Sequence, residues 1–484
     1  MTATAPKTTA RVELSRKRRS TPYLTVAERV ARGKAARAEV PRSKHAAFEP
    51  ASNRTDPVEL LERQAKTRMP DLVPIRYGRM LVSPFTFYRG GALVMANDLA
   101  STPSSGLTVQ CCGDAHLTNF GAFASPERRL VFDINDFDET LPGPWEWDVK
   151  RLAASVLIAA RDNGFRPKDQ DRAVLETVGQ YCASMAEFAG MGNLDVWYEH
   201  LELETELEAH ASEFKPKRLR VARAQLAKAH TRDSVTALGK LTQEVDGEFR
   251  IVNQPPLIVP IEQFVPFPRE LLLEGLTDLM RRYRSSLQGN RRFLLEQYEI
   301  ADFARKVVGV GSVGTRAFIG LLVGRNSKDP LFLQAKEAEA SVLEEYVGRS
   351  KFRNHGERVV RGQRLMQATS DIFLGWLRNA EISLDGTPHD FYVRQLRDWK
   401  MSAEIERMAP KDLLFYGRMC GGTLARAHAR SGDRVAIAAY LGSNDAFARA
   451  ILEFSRAYAE QNERDYARLQ AAVKAGEIAA KMGL

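Results

Sequence analysis

The sequence predicts an α+β fold in two lobes, the larger mostly helical and the smaller rich in strands. Three observations carry this expectation. From Trp147 to about residue 250 apolar residues recur with the 3.6-residue period of helices. Around 303–400 the texture changes to short β-branched and aromatic runs broken by Gly, Asp and Pro. Within the helical block stands one acidic strand–turn–strand stretch, "GDAHLTNFGAFASPERRLVFDINDFDET", from Gly113 to Thr140.

In chain order, "PVELLERQAKTRM" (57–69) reads as a helix, and 80–100 as a mixture of strand-like and turn-like pieces. "GLTVQCC" reads as a strand running into Gly113, and "RLVFDIND" as a second strand after the "SPERR" turn. "DVKRLAASVLIAARDNG" is a helix closed by Gly164. Residues 166–250 are mainly helical, and their charge runs are solvated faces. A proline-rich connection follows at 252–268, then a helical stretch near 269–304. "RKVVGVGSVGTRAFIGLLVG" and "PLFLQAKEA" read as strands around turns, and "GERVVRGQRLMQATSD" as a helix. "IFLGWLR" and "DFYVRQLRD" are two more strands split by "SLDGTPH", and the tail from about 411 is helical. The expected organisation is a basic mobile tail at 1–50, a helical lobe with the acidic hairpin at 51–300, a strand-rich lobe at 301–400, and C-terminal helices at 401–484 packing on the large lobe.

Composition narrows the classes. Hydrophobic residues make up 44% of the 484, ample for real cores, and no apolar run approaches the ~20 residues of a membrane helix. With no apolar signal segment at the N-terminus, a cytoplasmic protein without membrane contact is expected. The net charge of +9 suggests nucleic acid, but its distribution argues otherwise. Residues 1–50 hold twelve Lys/Arg against four Glu, which is +8 of the total, and the rest is nearly neutral. That tail, with a short helix around "TVAERVARGKAARAEV", supports at most nonspecific contact with polyanions. Cys111, Cys112, Cys182 and Cys420 form neither a CxxC pair nor a disulfide framework.

The acidic hairpin holds the first chemical constellation. Asp114 and Asn119 stand in D-x-x-x-x-N spacing with His116 between them, and Asp136 follows on the next strand beside Asp133 and Asp138. Phosphoryl transfer needs such a set: a carboxylate to orient or deprotonate the attacking hydroxyl, and oxygen ligands for Mg²⁺. The kinase signature pairs the same spacing with a later Asp-Phe metal ligand, here "NDFDET". Asp114 and His116 are the catalytic candidates, and Asn119 and Asp136 the metal candidates. A solvated acidic hairpin or a calcium site is the competing reading. Zinc would want more His or Cys than His116 supplies.

The second constellation is "VGVGSVG", in which Gly309, Gly311 and Gly314 give G-x-G-x-x-G around Ser312. A dinucleotide fingerprint would open a helix, whereas "TRAFIGLLVG" is strand-like. A glycine turn between strands suits a lid whose amides cover phosphates. "PLFLQAK" then delivers Lys336 to the phosphates of ATP, and the following helix offers Glu357 as its ion-pair partner, with Glu344 as the rival. Lid and lysine follow the catalytic loop by almost two hundred residues, the reverse of the kinase order. A circular permutation would produce this, and "KDLLFYGRMCGGTLARAHARSGD" near the C-terminus reads as the helix that would lead into the loop.

The stretches "SPFTFYRGG", "GDAHLTNFG", "FDINDFDET", "KVVGVGSVGTR", "GQRLMQATSDIFLGW", "FYVRQLRD" and "LARAHARSGD", spread over about 55–435, resemble the bacterial family of domains of unknown function numbered 2252. That resemblance supplies no reaction. The hairpin separately resembles aminoglycoside phosphotransferases and their protein-kinase-like relatives. This resemblance implies Asp114 as catalytic base, Asn119 and Asp136 as Mg²⁺ ligands, and Asp148 of "WEWDVKRLA" as a brace for the loop. "CCGD" departs from the His that often precedes Gly-Asp there.

The functional expectation is an Mg-ATP-dependent phosphotransferase with a permuted protein-kinase-like fold, acting on a small molecule or a protein. The alternatives are AMP transfer on the same scaffold and a noncatalytic nucleotide sensor. An NAD-dependent oxidoreductase would require a helix directly after Gly314.

Overall fold

The structure, a computed structural model, describes residues 24–213, 215–264, 268–326, 328–379, 386–396 and 399–484. It is α+β, mostly helical, with small antiparallel sheets. The described strands are β1 (Thr108–Cys111), β2 (Phe120–Ala124), β3 (Leu130–Ile134), β4 (Leu141–Pro144), β5 (Leu201–Glu202), β6 (Thr242–Val245), β7 (Glu248–Ile251), β8 (Ile258–Pro260), β9 (Glu299–Lys306), β10 (Ala317–Val323), β11 (Pro330–Glu337), β12 (Gly375–Asn379) and β13 (His389–Gln395).

The main core is built around the helix Trp145–Asp162. Glu146 and Asp148 lie in its first turn, where carboxylates complement the dipole. Gly164, at φ +68°, follows its C-terminal end. Every residue from Trp145 to Ala160 is buried. A helix hidden on all sides needs neighbours all round. They are the helices Pro167–Gly190, Pro410–Ser431 and Ala446–Lys474. Burying each large side chain of this core contributes roughly 1.5–3 kcal/mol.

The second structural unit is a six-stranded antiparallel sheet in the order β12-β13-β11-β10-β9-β8. Register places Ala317, Lys336 and Tyr392 opposite one another, so they share a face with Gln334 and Arg394 two residues along. The alternate residues Leu333, Ala335, Phe391 and Val393 project from the other face into clusters with Leu272 and Tyr283 of the helix Arg269–Ser285. The helix His355–Met366 packs on β12 and β13. Strands β2 and β3 form the hairpin predicted from the acidic stretch, and β1 pairs with β4 across its base.

Three expectations need correction. Residues 80–100 are helical, in Pro84–Gly90 and Ala92–Leu99. The β-like aromatics there are core residues of a helix started by Ser83, whose hydroxyl accepts from the Thr86 amide while Thr86 accepts from the Ser83 amide. The helical stretch near 269–304 ends at Leu295, and β9 begins at Glu299. The segment at 1–50 is no mobile tail over its described part. Val26–Glu39 is a helix capped by Thr25 and Glu28 and packs on Arg434–Leu441, with Arg29 and Arg32 each 3.7 Å from Asp433. His45, fully buried, meets the Tyr440 hydroxyl at 2.7 Å. Residues 1–23 and the first three residues of the "SLDGTPH" turn, 383–385, lie outside the described residues.

Candidate active site

The site begins where β1 ends. Gly113 has φ +82°, and a Cβ there would lie 2.5 Å from the Glu139 carbonyl oxygen, so glycine is required where the two ends of the hairpin cross. Asp114 follows. Its carbonyl accepts from the His116 amide and from Asn119 Nδ2, both at 2.8 Å. The Asn135 amide donates to the Asn119 carbonyl at 2.7 Å, which fixes Asp136 beside Asn119. The oxygen of the Asn119 amide is then the end available to a cation.

The buried helix holds this loop through one stripe of side chains. Asp148, Arg151 and Ser155 are spaced i, i+3, i+7 and share a face. Asp148 accepts from the Cys112 amide at 2.8 Å and the Gly113 amide at 3.0 Å, and meets His428 Nε2 at 3.1 Å. Arg151 donates to Asp114 Oδ1 at 2.7–2.8 Å. Ser155 accepts from the Leu117 amide at 3.1 Å. Asp133 is held separately, 2.7 Å from Arg426 in a fully buried pair.

The sheet supplies the opposite wall. Lys336 donates to Asp138 Oδ2 at 2.6 Å and lies 3.8 Å from Asp136 Oδ2. The Tyr392 hydroxyl donates to Asp138 Oδ1 at 2.6 Å, and Ser312 Oγ approaches Oδ2 at 3.4 Å. Arg358, buried in the helix after β11, donates to the carbonyls of Thr140, Asp138 and Glu339 at 2.7–2.8 Å. The glycine-rich turn joins β9 to β10, so a strand and not a helix follows Gly314, which removes the dinucleotide-fingerprint reading. Gly314, at φ +93°, lies against Arg68, its carbonyl accepting from the Met69 amide at 2.7 Å.

Between these walls is a cavity of about 510 Å³. Asp114, His116, Asn119 and Asp136 line it from one side, and Gly309, Gly311 and Ser312 from the other. Lys336 does not itself line it but stands behind Asp138, to which it donates, and 3.8 Å from Asp136. Glu357 does not reach Lys336. It sits at the start of its helix, 3.3 Å from Arg361. Glu344 lines the cavity but faces the Ser341 amide and His355. The expected lysine–glutamate pair is therefore replaced by Lys336–Asp138, because the hairpin carboxylates come closer to the ammonium than either helix acid.

Burial raises the Asp114 carboxyl above its usual range, against the pull of Arg151. Burial also raises Asp136, and the neighbouring Asp138 charge adds to it. At Asp138 burial is outweighed by the Lys336 ammonium and by the hydrogen bonds from Lys336 and Tyr392, so this carboxyl sits low and charged. Burial, with Arg151 and Arg89 nearby, drives His116 well below its ordinary value, so the imidazole is neutral. Glu139 is pushed up by burial to about 7.

Among the described residues no group of three or more His, Cys, Asp or Glu is arranged as a self-sufficient metal site. Mg²⁺ is commonly held by one or two carboxylates together with substrate phosphates, and Asp136 with Asn119 fits that incomplete kind of site. Arg151, Asp138, Glu139 and Arg358 were not among the sequence candidates. The 148/151/155 stripe on one face of the helix was the available signal for Arg151. Nothing in the sequence singled out Arg358.

The family described as "Uncharacterized protein conserved in bacteria (DUF2252)" matches residues 68–472, and the chain belongs to it. No curated protein and no solved structure matches the chain.

Proposed function

We propose that this DUF2252 member is an Mg-ATP-dependent phosphotransferase with a circularly permuted kinase-like architecture, acting on a small-molecule or protein acceptor. The observation that carries the reading is that Lys336 meets Asp138, at 2.6 Å, in the hairpin whose Asp114, Asn119 and Asp136 line one cavity with the glycine turn. The parts follow the small-lobe series of a kinase: glycine lid between two antiparallel strands, lysine on the next strand, then a helix. Permutation is supported at the other junction. Ser431, at the end of Pro410–Ser431, accepts from the Gln110 amide of β1 at 3.3 Å, so this helix ends beside the strand that leads into Asp114.

In this reading Lys336 and the amides of Gly309–Gly314 hold the phosphates of ATP, while Asp136 and Asn119 hold Mg²⁺. Asp114 keeps one oxygen on Arg151 and offers the other to the acceptor hydroxyl. His116, neutral and 3.6 Å from that second oxygen, orients it. The test is ATP consumption by the purified chain with Mg²⁺ against pooled acceptors. Turnover that disappears in Asp114→Asn is expected.

One observation favours a noncatalytic nucleotide sensor: Lys336 is engaged by Asp138 and has no helix glutamate. Tight Mg-ATP binding without turnover on any acceptor would select that reading.

A further inference from the structure

Arg68, Arg76 and Arg89 come from one stretch of chain and line the same cavity as Asp114. No direct ion pair neutralises them, although carboxylates such as Glu339 and Glu62 act on Arg68 and Arg76 from farther away. Arg76 is fully buried; its Nη2 donates to Gln64 Oε1 at 2.6 Å and the Gly90 carbonyl at 3.1 Å, while Nε and Nη1 have no partner. Arg68 is buried, donates Nη1 to the Val313 carbonyl, and leaves Nε unpaired. Arg89 Nε is buried and unpaired as well. None of the three has a carboxylate within ion-pair distance among the described residues. The nearby acids are engaged elsewhere. Glu62 accepts from the Tyr77 hydroxyl, Glu337 pairs with Arg316 and His389, and Glu139 accepts from the Val342 amide. Glu339, which also lines the cavity, forms no ion pair with the three among the described residues.

A buried guanidinium without a counter-ion is costly, and buried charges are normally paired or bind a ligand. Guanidinium groups converging on a cavity match the flat, forked geometry that recognises oxyanions. The position of the cluster says which ligand this is. Arg89 follows Tyr88, whose carbonyl accepts at 2.9 Å from Arg151, the guanidinium that holds Asp114, so this end of the cluster lies where the base meets the acceptor; Arg68 lies against Gly314 of the glycine turn, and Lys336 serves the sheet-side wall.

We propose that Arg68, Arg76 and Arg89 form a binding site for an oxyanion group carried by the acceptor, so that the phosphotransferase acts on an anionic substrate. This rests on the phosphotransfer reading above. The rival source of the same chemistry is the phosphate chain of the nucleotide itself.

The experiment uses the full chain with inorganic phosphate as the probe, with and without saturating Mg-ADP, followed by melting temperature and titration. Phosphate is expected to raise the melting temperature in both conditions, because its site is separate from that of the nucleotide. Arg89→Met, at a half-buried position, should weaken phosphate binding by roughly tenfold or more while leaving the Mg-ADP response intact. Arg76→Met should melt above the wild type without phosphate, since it removes a buried charge that has no direct ion pair, and should lose the phosphate increment. No phosphate response in the wild type overturns the site, as does an equal response in both variants. Loss of the phosphate response when Mg-ADP is present assigns the arginines to the nucleotide and overturns the acceptor assignment. An Arg89-dependent phosphate response without any Mg-ADP response keeps the anion site and overturns the nucleotide reading.

Discussion

Lys336 Nζ lies 2.6 Å from Asp138 Oδ2, although 198 positions separate the two residues. The pair joins the central strand β11 to the end of the acidic hairpin and fixes the distance between the two walls of the cavity. Lys336 is almost fully buried, so its ammonium depends on these carboxylates for compensation, and their attraction outweighs burial to raise its proton affinity. The pairing also sets a competition, because a phosphate chain entering the cavity must draw the ammonium away from Asp138.

That competition gives the first prediction. Asp138→Asn removes a negative charge from the phosphate path and releases Lys336. ADP affinity without added metal should rise by roughly tenfold. Isothermal titration measures it, and unchanged affinity would count against Lys336 as a phosphate contact.

Asp136→Asn removes a charged oxygen while keeping the shape. The wild type should melt higher with ATP plus Mg²⁺ than with ATP alone. The variant should keep the ATP effect and lose the Mg²⁺ increment, read from paired thermal melts.

Asp114→Asn should leave Mg-ATP affinity near that of the wild type and lower turnover by roughly 10²-fold or more, the scale for losing a positioned base. Lys336→Met should weaken nucleotide binding instead. Coupled ATP-consumption and binding assays on both variants separate the two roles, and wild-type turnover in Asp114→Asn would remove Asp114 from the mechanism.

Asp148→Ala strips the acceptor from the buried Cys112 amide and the half-buried Gly113 amide, and the partner from buried His428. Each orphaned group costs about 1–3 kcal/mol, so a loss of roughly 3 kcal/mol or more is expected in urea unfolding. A loss below about 1 kcal/mol would show that the brace is dispensable.

Glu139 supplies a pH dependence. Burial lifts its native value to about 7 from 4.5. Between those values the native state binds the extra proton, so stability falls as pH rises through that window and is flat above it. Glu139→Gln keeps an acceptor for the Val342 amide and should remove a decline of a few kcal/mol, at about 1.4 kcal/mol per unit. Urea unfolding at pH 5 and pH 8 tests this, and an identical decline in the variant assigns it to another group.

The sequence by itself determined the hairpin, the buried helix after it, the glycine turn between strands and the strand carrying Lys336. Each is written in local chemistry: alternation, 3.6-residue spacing, and glycines where the backbone takes positive φ or another segment passes close. It also marked Asp114, Asn119 and Asp136, because their spacing belongs to one loop and one hairpin. It misjudged residues 80–100, where aromatic side chains of β-like type serve a helical core, and the mobility of the described N-terminal segment, whose expected short helix docks on Arg434–Leu441. Only the tertiary structure decided the partners. Lys336 meets Asp138 and neither Glu357 nor Glu344, Arg151 holds Asp114, and Arg68, Arg76 and Arg89 line the cavity with no carboxylate in ion-pair contact among the described residues. Ion pairing falls off with distance and depends on burial, and for residues far apart in the chain both are set by how helices and sheet pack, which no local spacing encodes.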